Sequence, residues 1–343
     1  MKGCPYGSHR VIEPAGFLPQ AALRIDNSLD LYDNEILVDV TTLNVDSASF
    51  TQIREACEDD VTKISSMIMD IVRERGKLQN PVTGSGGMFI GKVSKIGKDL
   101  LRRDLEIGDT IASLVSLSLT PLNIERIVQV HLEKDQIDIE GKAVLFESGI
   151  YARLPSDIPP KMALAVLDVA GAPAQVDKLV KKGMNVAILG GGGKSGLLCC
   201  YAAMKKCRDS GKVVVVEYSV ENAERIRKLG LAHEVIIADA TKPLEVYEKI
   251  TEFTQGDLCD VVINNVNVPG TEMGSILCAK DNGIVYFFSM ATSFTRAALG
   301  AEGVGKDITM MIGNGYTKGH AEFALGILRE SSEIRRLFQK LYI

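Results

Sequence analysis

NVAILGGGGKSGLLCC, residues 185–200, determines the architecture predicted for the second half of this chain. Its glycines follow an apolar run and open a segment of helical character with the spacing G-x-G-x-x-G. That spacing is typical of a dinucleotide-binding turn. The first glycine permits a tight turn, the second lets a pyrophosphate approach the backbone, and the third lets helix and strand pack closely. The predicted phosphate-binding residues are Gly191, Gly193, Lys194, Ser195 and Gly196.

A second interpretation of this stretch is the phosphate-binding loop of nucleoside triphosphatases, because residues 193–195 are Gly-Lys-Ser. Such a loop has the pattern G-x-x-x-x-G-K-[ST], in which both glycines let the backbone wrap around the phosphates. The position of the first glycine is occupied by Ile188, inside the apolar run. The dinucleotide interpretation is therefore favoured.

The sequence around the turn alternates between β-branched runs and helical segments from about residue 160 onward. This alternation is typical of a doubly wound α/β fold, a parallel sheet with helices on both faces. The predicted strands cover 185–190, 212–219, 234–239, 259–266 and 283–289, and the predicted helices cover 195–209, 220–229, 243–254 and 270–280.

An acidic residue, Glu217, ends the second predicted strand, 21 residues after Gly196. A carboxylate at this position accepts hydrogen bonds from the hydroxyls of the adenosine ribose. We assign the adjacent Tyr218 to the same ribose-binding part of the cofactor site. Because a carboxylate repels a 2′-phosphate, NAD is favoured over NADP as the cofactor. Two nearby cations, Arg225 and Arg227, keep NADP as an alternative.

The predicted strands 259–266 and 283–289 end at the same edge of the sheet, where open α/β folds bind ligands. Ordinary loop packing is the alternative role for the residues that follow them. The predicted nicotinamide contacts are Asn265, Val266, Ser289 and Met290.

The first half of the chain has a different character. Short β-type runs at 35–43, 88–97 and 109–117 are separated by glycine, proline and aspartate, which predicts an irregular, strand-rich domain. Between them, apolar residues recur at helical spacing over 49–76, which predicts one surface helix.

Composition limits the classes of function. The 343 residues carry a net charge of −5 without a basic domain, which disfavours a nucleic-acid partner. The seven cysteines are scattered and never spaced C-x-x-C, so we expect neither a disulfide framework nor a zinc knuckle. The first residues lack the apolar core of a signal peptide, and no apolar run reaches the roughly 18 residues of a membrane span. We therefore expect a cytoplasmic protein without a membrane partner.

Several segments resemble the medium-chain dehydrogenase/reductase superfamily. The resemblance implies a Rossmann domain joined to a strand-rich GroES-like catalytic domain, with residues 1–160 and 295–343 forming the catalytic domain and 161–294 the Rossmann domain. It also implies a homodimer formed through the edge strands of the cofactor domains. The matching segments are 105–115 (LEIGDTIASLV), 154–176, 183–197 and 227–239.

Two further segments, residues 4–27 and 312–325, resemble more narrowly the amino-acid dehydrogenases of bacterial lysine fermentation. This resemblance implies the oxidative deamination of a diamino acid with NAD. For the carboxylate of such a substrate, the resembling segments offer Arg10 and Lys318 as partners.

Zinc-dependent members of the superfamily place ligands where this chain has NVDSA (44–48) and GGM (86–88). Because a zinc site needs thiolate or imidazole ligands, we expect no metal. By this resemblance, the third ligand position of the superfamily falls on Asp168 and the first falls at or beside Asp46, two carboxylates suited to a dicationic substrate. Each has a structural alternative: Asp46 could cap a helix, and Asp168 could cap a helix or make a structural hydrogen bond.

Two other functions stay open on the sequence alone. A zinc-free quinone or enoyl reductase of the same superfamily would prefer NADPH and an apolar site, which Glu217 and Asp168 disfavour. A non-catalytic NAD(H)-binding protein would keep the turn but convert no substrate.

Overall fold

The chain folds into two compact units, Met1–Leu164 and Ala165–Leu341. The computed structural model describes residues 1–100, 104–207, 210–313 and 315–342. The unit boundary lies close to the predicted end of the first domain at residue 160. The assignment of residues 295–343 differs, because the described part of this segment up to Leu341 belongs to the second unit rather than to the catalytic domain.

The first unit is built on a six-stranded antiparallel sheet. Its strand order is β6-β7-β3-β4-β5-β8, and a two-stranded hairpin, β1-β2, lies outside it. The strands are β1 (Val11–Glu13), β2 (Arg24–Ile25), β3 (Glu35–Asn44), β4 (Met88–Ile96), β5 (Thr110–Ser113), β6 (Leu122–His131), β7 (Gln136–Phe146) and β8 (Tyr151–Arg153). Short 3-10 turns cover Ser8–Arg10, Lys98–Leu100 and Leu132–Lys134.

Two helices, α1 (Ser47–Cys57) and α2 (Val61–Arg75), occupy the segment predicted as one helix over 49–76, so that prediction is wrong. Glu58 and Asp59 both have left-handed backbone conformations, which end α1. Asp60 then accepts hydrogen bonds from the N–H groups of Thr62 and Lys63 and caps α2. The buried faces of both helices join one apolar core with the sheet.

The second unit contains a six-stranded parallel sheet. The strands are β9 (Asn185–Leu189), β10 (Lys212–Glu217), β11 (Glu234–Ile237), β12 (Cys259–Asn264), β13 (Ala279–Phe287) and β14 (Thr309–Ile312). Their order in the sheet is β11-β10-β9-β12-β13-β14. The order reverses between β9 and β12, as in the Rossmann fold, and open α/β sheets bind ligands at the carboxyl ends of the strands at such a reversal.

Helices accompany the strands of the second unit. They are α4 (Gly171–Leu179), α5 (Lys194–Cys207), α6 (Val220–Lys228), α7 (Pro243–Thr254), α8 (Glu272–Cys278), α9 (Phe294–Gly303), α10 (His320–Glu330) and α11 (Ser332–Tyr342), while α3 (Pro160–Leu167) crosses the unit boundary. The predicted helix 195–209 ends with Arg208 and Asp209, which lie outside the described residues.

The segment after residue 294 joins the second unit through its hydrogen bonds and packing. β14 continues the parallel sheet by pairing with β13, with Phe287 opposite Ile312. α10 packs against α4 and α5. These contacts are the physical reason why β14 and α10 do not form part of the first unit. Within the described ranges, no helix is long and apolar enough to cross a membrane.

Candidate functional site

The glycine turn of the second unit lies between β9 and α5, as the sequence predicts. A Cβ on Gly196 would lie 2.1 Å from the carbonyl oxygen of Gly190, so only glycine allows α5 to start this close to the strand. A Cβ on Gly193 would have no atom of the described residues within 4 Å, apart from its own chain neighbours. The backbone of Gly193 is exposed and open to a ligand at the N-terminus of α5, where helix N–H groups attract phosphate.

Glu217 lies at the carboxyl end of β10 and is only 8% exposed. Its carboxylate accepts a hydrogen bond of 2.7 Å from the N–H of Gly192 and two of 3.1 Å from the N–H groups of Tyr218 and Ser219. The acid therefore joins the end of β10 to the glycine turn. Tyr218 itself projects outward and is 77% exposed.

The two cations near Glu217 are already engaged. The guanidinium of Arg225 donates to the side chains of Asn222 and Glu221, both at 2.9 Å. Arg227 donates to the backbone carbonyl of Val235. A 2′-phosphate at the end of β10 would therefore meet the Glu217 carboxylate, and an approach by either guanidinium would require it to leave these partners.

Two predicted site residues of the second unit meet in an ion pair. Lys194 is the first residue of α5, and Asp168 lies in the turn between α3 and α4. The ammonium nitrogen of Lys194 lies 3.6 Å from a carboxylate oxygen of Asp168, and the side chains are 20% and 22% exposed. Ser195, the next predicted phosphate contact, is half-buried in the same turn of α5. The structure thus brings a predicted substrate-binding residue next to the predicted phosphate site.

The loop that carries Lys318 packs on the start of α4, immediately after the turn that holds Asp168. A Cβ on Gly171 would lie 2.4 Å from the carbonyl oxygen of Gly315, so these backbones are in close contact. The hydroxyl of Thr317 also donates to the side-chain carbonyl of Gln175 at 3.0 Å. Lys318 is exposed in this loop. Asp168 and Lys318 are therefore carried by adjacent segments of one unit.

The predicted nicotinamide contacts follow the ends of β12 and β13. Val266 N–H donates to the side chain of Asn264 at 3.0 Å, and Ser289 N–H donates to the carbonyl of Asn264 at 3.4 Å. Met290 is 75% exposed beyond them. The predicted residues therefore belong to two loops at the carboxyl ends of neighbouring strands; they are Asn265, Val266, Ser289 and Met290.

Asn265 has a buried side-chain amide, and neither its oxygen nor its nitrogen has a hydrogen-bond partner of normal geometry among the described residues. The thiol of Cys199 lies beside this amide, and burial raises the pKa of that thiol to about 12. A thiol is a weak hydrogen-bond partner, so this amide keeps donor and acceptor capacity that a ligand or a water can satisfy. This orphaned amide and the open backbone of Gly193 both fit a bound dinucleotide.

Sequence reasoning missed Asn264, which organises the end of β12. Its amide is fully buried and donates to the hydroxyls of Thr271 at 2.8 Å and Ser275 at 2.9 Å. These bonds connect the strand end to α8. A polar residue inside the apolar run CDVVINN was the available signal, because a buried amide requires partners.

Arg10 is predicted to bind a substrate carboxylate, but in the first unit its side chain is part of a buried network of hydrogen bonds within the protein. The side chain is 1% exposed, and its guanidinium forms a double hydrogen bond, both at 2.7 Å, with the carboxylate of Glu35. Further donors reach the backbone carbonyls of Ser28 and Asp30 at 2.9 and 2.8 Å. Binding a ligand through Arg10 would require breaking this buried network.

Asp46 caps α1, which was the structural alternative for this residue. Its carboxylate accepts hydrogen bonds from the N–H groups of Ala48 and Ser49 and, at 2.6 Å, from the hydroxyl of Ser49. That hydroxyl lies 2.5 Å from the hydroxyl of Thr83. The side chain is half-buried, and its predicted role toward a substrate stays a prediction.

Gly87 is the residue that the resemblance to zinc-dependent dehydrogenases matches with one of their ligands. Its φ is +104°, and a Cβ there would lie 2.0 Å from the carbonyl oxygen of Asn44. A histidine at this position would collide with the backbone that leads to Asp46. Among the described residues, no group of three or more His, Cys, Asp or Glu side chains could hold a metal ion.

Comparison with known proteins gives consistent matches. A model described as the N-terminal domain of L-erythro-3,5-diaminohexanoate dehydrogenase matches residues 9–155. L-erythro-3,5-diaminohexanoate dehydrogenase of Acetoanaerobium sticklandii is 58% identical over 344 residues, covering 100% of both chains. The enzyme of the same name from Fusobacterium nucleatum subsp. nucleatum is 57% identical over 343 residues, covering 100% of this chain and 99% of that one.

A solved structure supports the fold. Escherichia coli quinone oxidoreductase complexed with NADPH has a TM-score of 0.53 and 17% sequence identity, over 87% of this chain and 79% of that chain. The similarity confirms the predicted combination of a Rossmann sheet and a GroES-like domain. The full-length relatives confirm the resemblance found in residues 4–27 and 312–325. Both relatives are named as dehydrogenases.

Proposed function

This chain belongs to the L-erythro-3,5-diaminohexanoate dehydrogenase family, and we propose that it oxidises L-erythro-3,5-diaminohexanoate to 5-amino-3-oxohexanoate with NAD. The identity of 57–58% over the whole chain is the observation that carries this proposal. We further propose that the reaction serves lysine degradation. The oxidoreductase class follows from the family, and the substrate and cofactor are the part to be tested.

The proposed reaction consumes water and releases ammonia. The substrate ammonium at carbon 3 first loses a proton, and the neutral amine then expels a hydride from that carbon, which leaves an iminium ion. Water adds to the iminium, and ammonia leaves to give the ketone. The dinucleotide, when bound, accepts the hydride. The balance is one diamino acid, one NAD and one water converted to one amino ketone, one ammonium, one NADH and one proton.

We assign the dinucleotide to the glycine turn. We also propose that NAD is preferred over NADP. Support comes from Glu217, whose buried carboxylate would repel a 2′-phosphate at the end of β10. Arg225 and Arg227 are engaged elsewhere and do not offset that charge. The quinone oxidoreductase with a similar fold binds NADPH, but its 17% identity bears on the fold alone.

We assign Asp168 as the partner of one substrate ammonium. Its carboxylate already lies beside a primary ammonium, that of Lys194, so the environment accepts this kind of group. A cation stabilises a partly buried carboxylate, and a substrate ammonium is such a cation. Lys318, exposed on the adjacent loop, is the candidate for the substrate carboxylate. An apolar quinone or enone would use neither charge.

A comparison of substrates tests this proposal. The purified full-length chain is incubated with NAD and either L-erythro-3,5-diaminohexanoate or 3-aminohexanoate, which lacks the second ammonium. We expect one ammonia per NADH from the diamino acid and a kcat/KM lower by about ten-fold or more for the monoamine, the usual cost of losing one charged contact. Reduction of a quinone or enone with NADPH, without oxidation of the diamino acid, would favour the reductase alternative.

A matched pair of variants tests the role of Asp168. Asp177 in α4 forms a similar pair with Lys206 in α5, with 3.1 Å between the charged atoms. Asp168→Asn is expected to raise KM for the diamino acid by about ten-fold, whereas Asp177→Asn should leave it unchanged. Equal effects of the two substitutions would contradict the assignment of Asp168.

A further inference from the structure

The Asp168–Lys194 pair joins two groups that the proposed function assigns to different ligands. Lys194 belongs to the turn that would hold the pyrophosphate, and Asp168 is the partner proposed for the substrate ammonium. α4, which follows the Asp168 turn, packs directly against α5. One ammonium group therefore lies between the proposed positions of two anions, one on the protein and one on the cofactor.

Lys194 lies in the first turn of α5, where its ammonium is stabilised by a nearby anion. The first turn of a helix carries unpaired N–H groups and a partial positive charge, so a cation there is unfavourable unless an anion is near. Asp168 provides that anion in the structure. A pyrophosphate bound at the glycine turn would bring negative charge to the same helix end and attract the same ammonium.

The geometry of the pair allows the exchange. The separation of 3.6 Å is longer than a hydrogen bond, so the movement of Lys194 toward a phosphate would break no direct hydrogen bond to Asp168. Both side chains are about one-fifth exposed, so the attraction is partly screened by solvent. The long aliphatic stem of lysine also lets its ammonium move while the backbone of α5 stays in place.

We propose that the Asp168–Lys194 pair couples the binding of the dinucleotide to the binding of the diamino acid. Dinucleotide binding would draw the ammonium of Lys194 toward the pyrophosphate and leave the carboxylate of Asp168 available to the substrate ammonium. Without the dinucleotide, Lys194 competes with the substrate for the carboxylate. With the dinucleotide bound, the carboxylate loses part of its counter-charge and attracts the substrate cation more strongly. This inference rests on the proposed function and extends it to a specific pair of residues that links the two binding sites.

Linkage gives the proposal a quantitative form. If the dinucleotide raises the affinity for the diamino acid by some factor, the diamino acid must raise the affinity for the dinucleotide by the same factor. An exchange of one ionic partner corresponds to a coupling of about ten-fold, within the usual range for two linked sites. This reciprocity can be measured without catalysis, because NADH and the diamino acid do not react with each other.

The experiment measures both affinities on the full-length protein. NADH fluorescence gives the dinucleotide affinity without interference from tryptophan, which this chain lacks, and calorimetry gives the affinity for L-erythro-3,5-diaminohexanoate. For the wild type we expect the diamino acid to bind about ten-fold more tightly in the presence of NADH, with the reciprocal change for NADH. Equal affinity with and without NADH would overturn the proposal.

Lys194→Met tests whether this pair carries the coupling. Without the ammonium, the diamino acid should bind the dinucleotide-free protein about as tightly as it binds the wild type with NADH, and the coupling should disappear. Lys206→Met is the matched control, because Lys206 lies on the same helix and pairs with Asp177 far from the glycine turn. It should keep the coupling. Circular dichroism and Tm confirm that both variants are folded.

The outcomes separate this inference from the proposed function. Turnover of the diamino acid by the wild type, without any coupling between the two ligands, would reject the inference and leave the function standing. Coupling that persists in Lys194→Met, or that Lys206→Met also removes, would reject the role of Lys194. If the diamino acid neither binds nor reacts under any condition, both the proposed function and this inference are wrong.

Discussion

At the scale of single residues, the fully buried pair of Arg10 and Glu35 fixes the N-terminal segment to the start of β3. His9 adds to the same network, since its Nε2 lies 2.9 Å from the Glu35 carboxylate and its Nδ1 accepts the N–H of Cys4. Burial alone would raise the pKa of Glu35, but the hydrogen bonds from Arg10 and the backbone of Tyr32 outweigh it and hold this pKa below its usual 4.5. A charge pair in this environment is costly to break from one side.

We expect Arg10→Met to destabilise the fold by about 3–5 kcal/mol, because it leaves Glu35 buried without its charge partner. KM for the diamino acid should stay unchanged below the unfolding temperature. Arg126→Met is the control, since Arg126 and Glu140 form an exposed pair whose loss should have little effect on stability. Chemical denaturation gives the free energies. A stable Arg10→Met protein with a raised KM would restore Arg10 as a substrate ligand.

The lowered pKa of Glu35 also sets a pH dependence. A carboxyl group whose pKa is lower in the folded state stabilises the fold above its unfolded value of about 4.5, and this contribution is lost as the pH falls below that value through the folded pKa. The free energy of unfolding of the wild type should therefore decrease below about pH 4.5. In Glu35→Gln this decrease should be smaller, and an unchanged acid dependence would contradict the role given to Glu35.

The position of the glycine turn between β9 and α5 could be predicted from the sequence, whereas the surroundings of isolated charges could not. Gly196 and Glu217 could be recognised because their spacing is set by local strand and helix geometry. The environment of Arg10 depends on Glu35 and on the backbone of residues 26–30, whose proximity results from the tertiary fold. The orphaned amide of Asn265 likewise depends on what surrounds it, and no spacing in the sequence reveals that.

At the scale of elements, we expect opposite effects from alanine substitutions at two glycines near the start of α5: one should lower stability, and the other should weaken dinucleotide binding. Gly196→Ala should destabilise the fold by about 1–3 kcal/mol, because its methyl would collide with the carbonyl of Gly190. Gly193→Ala should leave stability within about 1 kcal/mol, because a methyl there comes within 4 Å of no atom in the part of the chain that the structure describes, its chain neighbours aside. It should nevertheless weaken NADH binding by about ten-fold.

Thermal unfolding and NADH titration of both variants check this contrast. If Gly193→Ala binds NADH as tightly as the wild type, the pyrophosphate does not lie over this backbone. If Gly196→Ala has an unchanged Tm, α5 does not need its close approach to β9.

Sequence periodicity located most elements but not all of their ends. The predicted strands at 185–190 and 259–266 correspond to Asn185–Leu189 and Cys259–Asn264. β13 begins at Ala279, earlier than the predicted 283. The left-handed Asn282 lies where its pairing with β12 shifts register, between Ala279 and Ile284, and the polar residues of this irregular part hid the start of the strand. The break between α1 and α2 was missed because apolar spacing continues through it, although CEDD supplies the cap.

At the scale of the whole molecule, β14 is one of the two edge strands of the parallel sheet. Met310 and Ile312 on this strand are 38% and 59% exposed, and an exposed apolar edge invites pairing with a second copy. We expect a homodimer through β14. Ile312→Lys should give a monomer in size-exclusion chromatography with light scattering, because a charge at the pairing edge opposes association.

The opposite edge of the same sheet offers a control for the dimer. Ile237 on β11 is also exposed, at 38%, and Ile237→Lys should remain dimeric. A wild-type monomer would contradict the dimer prediction directly. Loss of the dimer in Ile237→Lys but not in Ile312→Lys would move the interface to the other edge.

The proposed reaction can be checked in a single assay, the initial rate of cofactor reduction by the purified wild-type chain with L-erythro-3,5-diaminohexanoate, compared between NAD and NADP after dialysis against a chelator. We predict formation of NADH with one ammonia released per NADH, a kcat/KM for NAD at least about ten-fold above that for NADP, and no loss of activity on chelation. A preference for NADP would contradict the role assigned to Glu217. The absence of reduction with either cofactor, in a folded protein that binds NADH, would contradict the proposed reaction itself.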